Sequence, residues 1–400
     1  MTSTPLRLGV ALEGAGWHPS AWRERSSRPR ELFRLGYWAD LIRLADRAGI
    51  HFATIDDALA LQSSDHLTAD ERTDEVRGRL DALLIAASVA PLTERIGLIP
   101  TVTTTHTEPF HVSKAVATLD HVSEGRAGWQ ARVSARADEA RHFGRREGVE
   151  AASRFDERAQ RIIEDLFGEA ADVVEAVRRL WDSWEDDAEI RDVATDRFLD
   201  ADRVHTIDFE STRFSIRGPS ITPRPPQGQP VVTALAHATL PYRFAAESAD
   251  VVFVTPQDAA DAARILAEIR TIEAEIARAG EPLHVFADLV VFLDAEEAAS
   301  DRLVRLDGLG RALSSDARVV VGSAGALADE IAALAAAGYD GVRLRPGVLT
   351  DDLPRIADDL VPLLRERGLL AAADTAGTSL RAALGLAAHV PNRYSPALVG

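Results

Sequence analysis

The residues best placed to do chemistry in this 400-residue chain are Thr103, Thr104, Thr105 and His106. They form an unbroken run of hydroxyls ending in an imidazole, set between the apolar segment 96–102 and Pro109. Such groups donate to and accept from a polar ligand, or hold a proton beside it. Comparable candidates are Trp17 and His18 in GAGWHPSAW, Asp57 in IDDALAL, and His142 in RHFG. Each competes with a plainer role: Trp17 and Trp22 can pack their own loop, and Asp57 can cap a helix. His106 and His111 are separated by Pro109, share no helix face, and do not read as a metal pair. Trp181 and Trp184, at helical spacing in LWDSWEDD, read as core and helix-end packing.

The elements that must carry these groups recur along the chain. From Pro91 to Trp129 the sequence predicts strand, polar turn, a helix from Pro109 toward Glu124, a stop at Gly125, and another strand at 127–133. LADRAGIHFATI (44–55) and LAAAGYDGVRL (334–344) repeat one unit, a helix ending at Gly followed by a short apolar strand, and ESADVVFVTP (247–256) is a version without the Gly. Strands are expected near 6–12, 52–55, 96–102, 127–133, 230–235, 250–254, 283–293 and 341–344. That number of βα units predicts an α/β fold, a (β/α)8 TIM barrel whose ligand site lies at the carboxyl ends of its strands; a doubly wound open sheet is the alternative. Residues 185–228 read as an insertion between strands 4 and 5, with a hairpin in VHTIDFESTRFSIRG, expected over the barrel mouth. The expected organisation is a barrel over 1–370 and a tail over 371–400, with one short helix from Ser379 to Leu386, that packs on the barrel or on a neighbour.

Composition removes several classes of function. The formal net charge of −18, from 45 basic and 63 acidic residues, repels phosphate backbones and anionic membranes, so neither nucleic acid nor a membrane is an expected partner. Zero cysteines exclude thiolate catalysis, disulfides and cysteine-ligated metals, and suit a reducing compartment. MTSTPLR leads into strand-like sequence without a basic-then-apolar profile, and a cytoplasmic location is expected. Gly14 and Gly16 are followed by Pro19, and Gly308 and Gly310 lack a third glycine, so neither supports a dinucleotide fingerprint. There is no P-loop, His-Glu-x-x-His or Gly-x-Ser-x-Gly motif.

Four spaced segments carry a family resemblance: TVTTTHTEPFHVSK…LDHVSEGRAGW, LWDSWEDDAEI, RGPSITPRPPQGQPVV and SLRAALGL. Together they resemble the bacterial-luciferase-like flavin-dependent monooxygenase superfamily, in the branch that holds the nitrilotriacetate and dibenzothiophene-sulfone monooxygenases. The resemblance implies an enzyme that takes reduced FMN from a separate flavin reductase and uses dioxygen to oxidise a small organic substrate, as a homodimer or homotetramer. The difficult chemistry then belongs to the cofactor, and the protein positions, binds and excludes water.

Carried over position by position, the resemblance matches Asp57 to the acidic residue that ends the second strand and places Thr103 beside the flavin ring. After the fourth strand, Gln130, Arg132, Val133 and Ser134 stand where the family has Asn, Val, Thr and Ser, and Arg154–Phe155 stand for Arg-Tyr. After the fifth strand, the family's Gln-Ala-Gly-x-Ser phosphate cradle is replaced by Ala234 to Tyr242, with Ala238 lacking a hydroxyl and Pro241 lacking an N–H. His237, Thr239, Tyr242, Arg243, Ser134 and Arg136 are the candidate replacements. Expected cofactor contacts are therefore Asp57, Thr103, Gln130, Arg132, Ser134, His237, Ala238 and Tyr242, with Trp17, His18, His106 and His142 nearest the substrate and no metal. Two alternatives stay open: a deazaflavin-dependent oxidoreductase, and a non-catalytic, flavin-poor paralogue acting as a binding protein or subunit.

Overall fold

The computed structural model describes residues 5–63, 67–150 and 156–395. Its first half runs β1 (Arg7–Leu12), α1 (Leu35–Ala48), β2 (Phe52–Ile55), α2 (Ala82–Val89), β3 (Gly97–Thr103), α3 (Pro109–Val122), β4 (Gly128–Arg132), α4 (Ala137–Phe143) and α5 (Glu157–Asp182). Two small hairpins follow, β5 (Glu189–Asp192) with β6 (Arg197–Leu199), and β7 (Phe209–Glu210) with β8 (Ser215–Ile216). The second half runs β9 (Val231–Leu235), α6 (Thr239–Ser248), β10 (Val251–Val254), α7 (Ala259–Glu275), β11 (His284–Leu293), α8 (Ala299–Asp307), β12 (Arg318–Gly322), α9 (Ala324–Ala337), β13 (Gly341–Pro346), α10 (Leu349–Arg355), α11 (Val361–Glu366) and α12 (Leu380–Ala383).

Eight parallel strands close a ring in the order β1, β2, β3, β4, β9, β10, β11, β13 and back to β1. They are the eight strands expected from the sequence, and the fold is a TIM barrel rather than an open sheet. Helices α1 and α9 end on Gly49 (φ 72°) and Gly338 (φ 99°), where a left-handed residue frees the chain to turn into the next strand. A ninth strand, β12, was not expected. Leu289 of β11 pairs with both Arg318 and Leu344, so β12 occupies the β11 edge opposite β13, beyond the end of β10.

Inward-facing positions stack in layers. The amino-terminal layer is apolar: Phe52, Ile99, Val231, Val251, Phe253 and Phe286 cluster with Leu380, Leu384 and Leu386 of the tail. A Cβ on Gly9, Gly97 or Gly341 would collide with Phe52, Leu380 and Phe286 respectively, so these glycines make room for the large side chains and the plug. The tail is pinned by Leu380 N–H to the Gly125 carbonyl (2.9 Å) and by Arg7 Nε to the Ala383 carbonyl (2.6 Å). It thus closes the bottom of the barrel.

The insertion does not lie where the sequence suggested. Ile207 and Phe209 pack against Ala176 and Leu180 of α5, beside Phe110, and Arg213 pairs with Asp165 (3.0 Å) and Asp172 (2.8 Å) on the same helix. The apolar face of the β7–β8 hairpin finds its partner on the flank of the 26-residue α5, and no residue of 185–228 lines the cavity at the mouth.

Candidate active site at the barrel mouth

Above the apolar layer the barrel interior becomes charged. Gln130 is locked from both sides, donating to Thr101 Oγ1 (2.8 Å) and accepting from Arg343 Nη1 (2.6 Å). Arg343 also donates to Asp288 through Nε (2.7 Å) and Nη2 (2.5 Å) and to Thr54 Oγ1 (3.2 Å), with its guanidinium carbon 3.8 Å from the Phe253 ring centre. Arg345, one pleat higher, pairs with the same Asp288 and with Asp316 (2.9 Å). Burial of this kind is tolerated because the charges neutralise one another inside one hydrogen-bonded unit.

The floor formed by Arg343 and Arg345 opens into a cavity of about 330 Å³, within the range of small-molecule sites. Its walls come from strand ends: Glu13 after β1, Asp56 after β2, Gln130 and Arg132 on β4, Leu235 and His237 on and after β9, with Trp17, Phe167 and Phe244 as aromatic cover. Leu12 and Ile55 are register partners, so Glu13 and Asp56 emerge side by side. Arg79 reaches both carboxylates at 3.2 Å, and Arg132 lies 3.7 Å from Asp56. Burial, and then the Asp56 charge, push the Glu13 carboxyl up to about 7 against the pull of Arg79, Arg132 and Arg345. His237 bonds to Thr255 (3.1 Å) and Asp316 (3.3 Å), and burial holds its pKa below the ordinary histidine value despite Asp316.

Of the twelve residues expected to form the site, Trp17, Gln130, Arg132 and His237 meet in this cavity. Asp57, Thr103 and His106 meet in a second, larger cavity of about 600 Å³, between α2 and α3 beside the end of β3. There Asp57 accepts from Ala82 N–H (2.9 Å) and Ala58 N–H (2.7 Å), so it also ties down the start of α2; burial raises its pKa despite these bonds. His106 adopts a left-handed φ of 75° and stacks flat on Phe143, ring centres 4.9 Å apart; burial lowers its pKa.

The other five lie in neither cavity. His18 is buried, with Nε2 on Asp307 (2.9 Å) and Nδ1 accepting from Ser20 N–H, so both ring nitrogens are occupied in fixing its loop. His142 is exposed on α4, pointing away because its neighbours Ala137, Glu139 and Ala140 take the inner face. Ser134 is buried and bonded within its own turn, accepting from Arg136 N–H at 3.3 Å. Tyr242 is buried on the inner face of α6, and Ala238 is that helix's N-cap without a side-chain cap. Arg154 and Phe155 lie outside the described residues. Trp181 is core, bonded to the Ser113 carbonyl, as its spacing suggested.

Sequence reasoning missed Glu13, Asp56, Asp288, Asp316, Arg343 and Arg345. A signal was present: in VRLRP the arginines alternate with apolar residues at the strand period, which puts both on one face.

A flavin fits this site unevenly. On the ring side, Arg132 is a partly exposed cation at the rim, whereas the Thr233 hydroxyl, next to Gln130 in register, is buried without a partner and does not line the cavity. On the phosphate side, the start of α6 offers few free groups: the Thr239 hydroxyl donates to Glu268 (2.6 Å), Arg243 pairs with Glu275 (2.7 Å), and Pro241 has no N–H.

Comparison with known proteins points the same way. Residues 14–314 match the family profile described as luciferase-like monooxygenase. The chain is 32% identical over 298 residues to nitrilotriacetate monooxygenase component A of Aminobacter aminovorans, covering 73% of this chain and 63% of that protein. It is 30% identical over 296 residues to the dibenzothiophene-sulfone monooxygenase of Rhodococcus erythropolis, covering 72% and 62%. The matches thus span somewhat under two thirds of these relatives' length. A riboflavin lyase solved with a modified FMN and riboflavin shares the fold, with a TM-score of 0.83, 22% identity and 98% of each chain covered.

Proposed function

This chain belongs to the luciferase-like monooxygenase family, and on that premise we propose that it is a reduced-flavin-dependent monooxygenase acting on a small organic substrate. The observation that carries the reading is the cavity at the carboxyl ends of β1, β2, β4 and β13, where a family member would hold its ring and substrate. Bound there, a reduced flavin supplies the activation of dioxygen. The chain's own residues do the rest. Gln130, fixed by Thr101 and Arg343, and Arg132, anchored by Asp56 and the Asp57 carbonyl, orient polar edges at the β4 wall. Trp17, Phe167 and Phe244 exclude water from the opening. Glu13 holds or releases a proton on the opposite wall.

FMN delivered by a separate reductase is the expected cofactor arrangement, in a cytoplasmic homodimer or homotetramer. Exposed Leu84 and Leu92, on and just after α2, are consistent with such an assembly. Among the described residues, no helix is long and apolar enough to cross a membrane. The family's monooxygenase character favours oxygen activation over the hydride transfer of a deazaflavin enzyme.

The test is oxygen uptake by the purified protein with reduced FMN, together with absorbance spectra before and after FMN addition. Oxygen consumption that a bound organic substrate couples to product supports the reading. Failure to form any flavin-bound species replaces it with that of a binding protein that kept the barrel.

A further inference from the structure

A helix start beside a ligand cavity is the usual place to hold an anionic group, through its free N–H groups and the positive end of its dipole. At the mouth cavity that start belongs to α6, because His237 lines the cavity and Ala238 is the N-cap. The groups that could receive a phosphate there are taken or missing. The Thr239 hydroxyl donates to Glu268 (2.6 Å), Ala238 has no side-chain oxygen, and Pro241 has no N–H. Charge works in the same direction: Glu268 and Asp261 of α7 share the single cation Arg264 (3.0 and 2.7 Å), so a net negative charge stands behind the start of α6. His237 is held by Thr255 and Asp316, and burial keeps its pKa below the ordinary histidine value, so it adds no compensating charge near neutrality.

The arginines nearby are committed as well. Of the three that line the cavity, Arg343 pairs with Asp288, Arg345 with Asp288 and Asp316, and Arg132 with Asp56 at 3.7 Å. Arg136 grips Asp138 through two bonds (2.9 and 2.6 Å), and Arg243 turns to Glu275 (2.7 Å). A phosphate dianion drawn to any of them must compete with a carboxylate already in place. The ring side differs. Gln130 presents a fixed polar edge, and Trp17, Phe167 and Phe244 cover the opening, none of which depends on a ligand's charge.

We propose that this chain selects its flavin by the ring and not by the phosphate, so that riboflavin binds at least as tightly as FMN. This rests on the monooxygenase reading and specifies how its flavin is recognised. FMN is still accepted, with a phosphate that the start of α6 repels rather than holds. Glu268, through its charge and its hold on Thr239, is the residue that sets the preference.

The experiment is titration of the full chain with riboflavin and with FMN, oxidised by fluorescence quenching and reduced under argon by ultrafiltration, at about 20 mM and about 300 mM salt. Riboflavin is expected to equal or exceed FMN in affinity in both redox states. FMN affinity is expected to rise at the higher salt, where repulsion from the carboxylates of α7 is screened, while riboflavin affinity stays the same. A phosphate held by even one charge-assisted bond would instead favour FMN by about tenfold or more and make its binding weaken with salt. In Glu268→Gln the ratio of FMN to riboflavin affinity is expected to rise several-fold. FMN bound more tightly than riboflavin by the parent protein, FMN binding that weakens with salt, or a ratio that E268Q leaves unchanged overturns this inference and leaves the monooxygenase reading standing. Failure of both flavins to bind in either redox state defeats that reading and this inference together.

Discussion

Asp288 of β11 neutralises two arginines of β13 at once, accepting from Arg343 at 2.7 and 2.5 Å and also pairing with Arg345. All three side chains are buried. Asp288→Ala strands the desolvated Arg343, leaves Arg345 with Asp316 alone, and is expected to cost roughly 3–5 kcal/mol, or to prevent folding. Arg343→Met leaves Asp288 still paired to Arg345 and is expected to cost less. Urea unfolding of both variants decides the matter; an Asp288→Ala protein no less stable than Arg343→Met means the layer is not organised around that carboxylate.

The bottom of the barrel depends on a residue 283 positions from the glycine that receives it: Leu380 of α12 fills the space a side chain on Gly97 would take. Leu380→Ala opens a cavity against Phe52, Phe253 and Phe286 and is expected to cost about 2–5 kcal/mol. Gly97→Ala is expected to cost about 1–3 kcal/mol by overpacking the same spot. Thermal unfolding of each variant and of the double variant tests their coupling. Additive losses would show that the two residues do not share one site.

Much of this architecture was legible because most strands buried on both faces read as apolar runs and helices stopping at Gly announced the next strand, which together marked all eight ring strands within a residue or two. The strand β12 escaped because its residues are only half-buried and pair with the upper half of β11 alone. The site was harder to read. Family likeness pointed to Gln130 and Arg132, and the loop GAGWHPSAW to Trp17, yet Glu13, Asp56 and Arg345 belong to no motif and become neighbours only through strand register. Likewise, nothing local in GWHPSAW says that the His18 ring turns back to Asp307, 289 residues away.

The start of α6 is short of free donors because Glu268 accepts the Thr239 hydroxyl. A carboxylate there also opposes any phosphate drawn to the helix N-terminus. Glu268→Gln removes that opposition, and Ala238→Ser restores an N-cap hydroxyl. Each change is expected to tighten FMN binding several-fold, about 1 kcal/mol, measured by quenching of flavin fluorescence. Unchanged affinity in both variants would place the phosphate elsewhere.

Glu13 also makes stability depend on pH in a direction opposite to that of a salt-bridged carboxylate. Its folded pKa, about 7, lies above the ordinary value of 4.5, so the native state holds a proton that the unfolded chain has released across that interval. The stability this confers is fully present below about pH 4.5 and is lost as pH rises through about 7. Glutamine mimics the protonated form and does not titrate. Relative to the parent, Glu13→Gln should therefore be more stable at about pH 8 than at about pH 5. Urea midpoints for both proteins at the two pH values isolate the effect, because every other titrating group is common to both. A gap that stays constant would mean that Glu13 is ionised throughout, held by Arg79 at 3.2 Å as an ordinary ion pair.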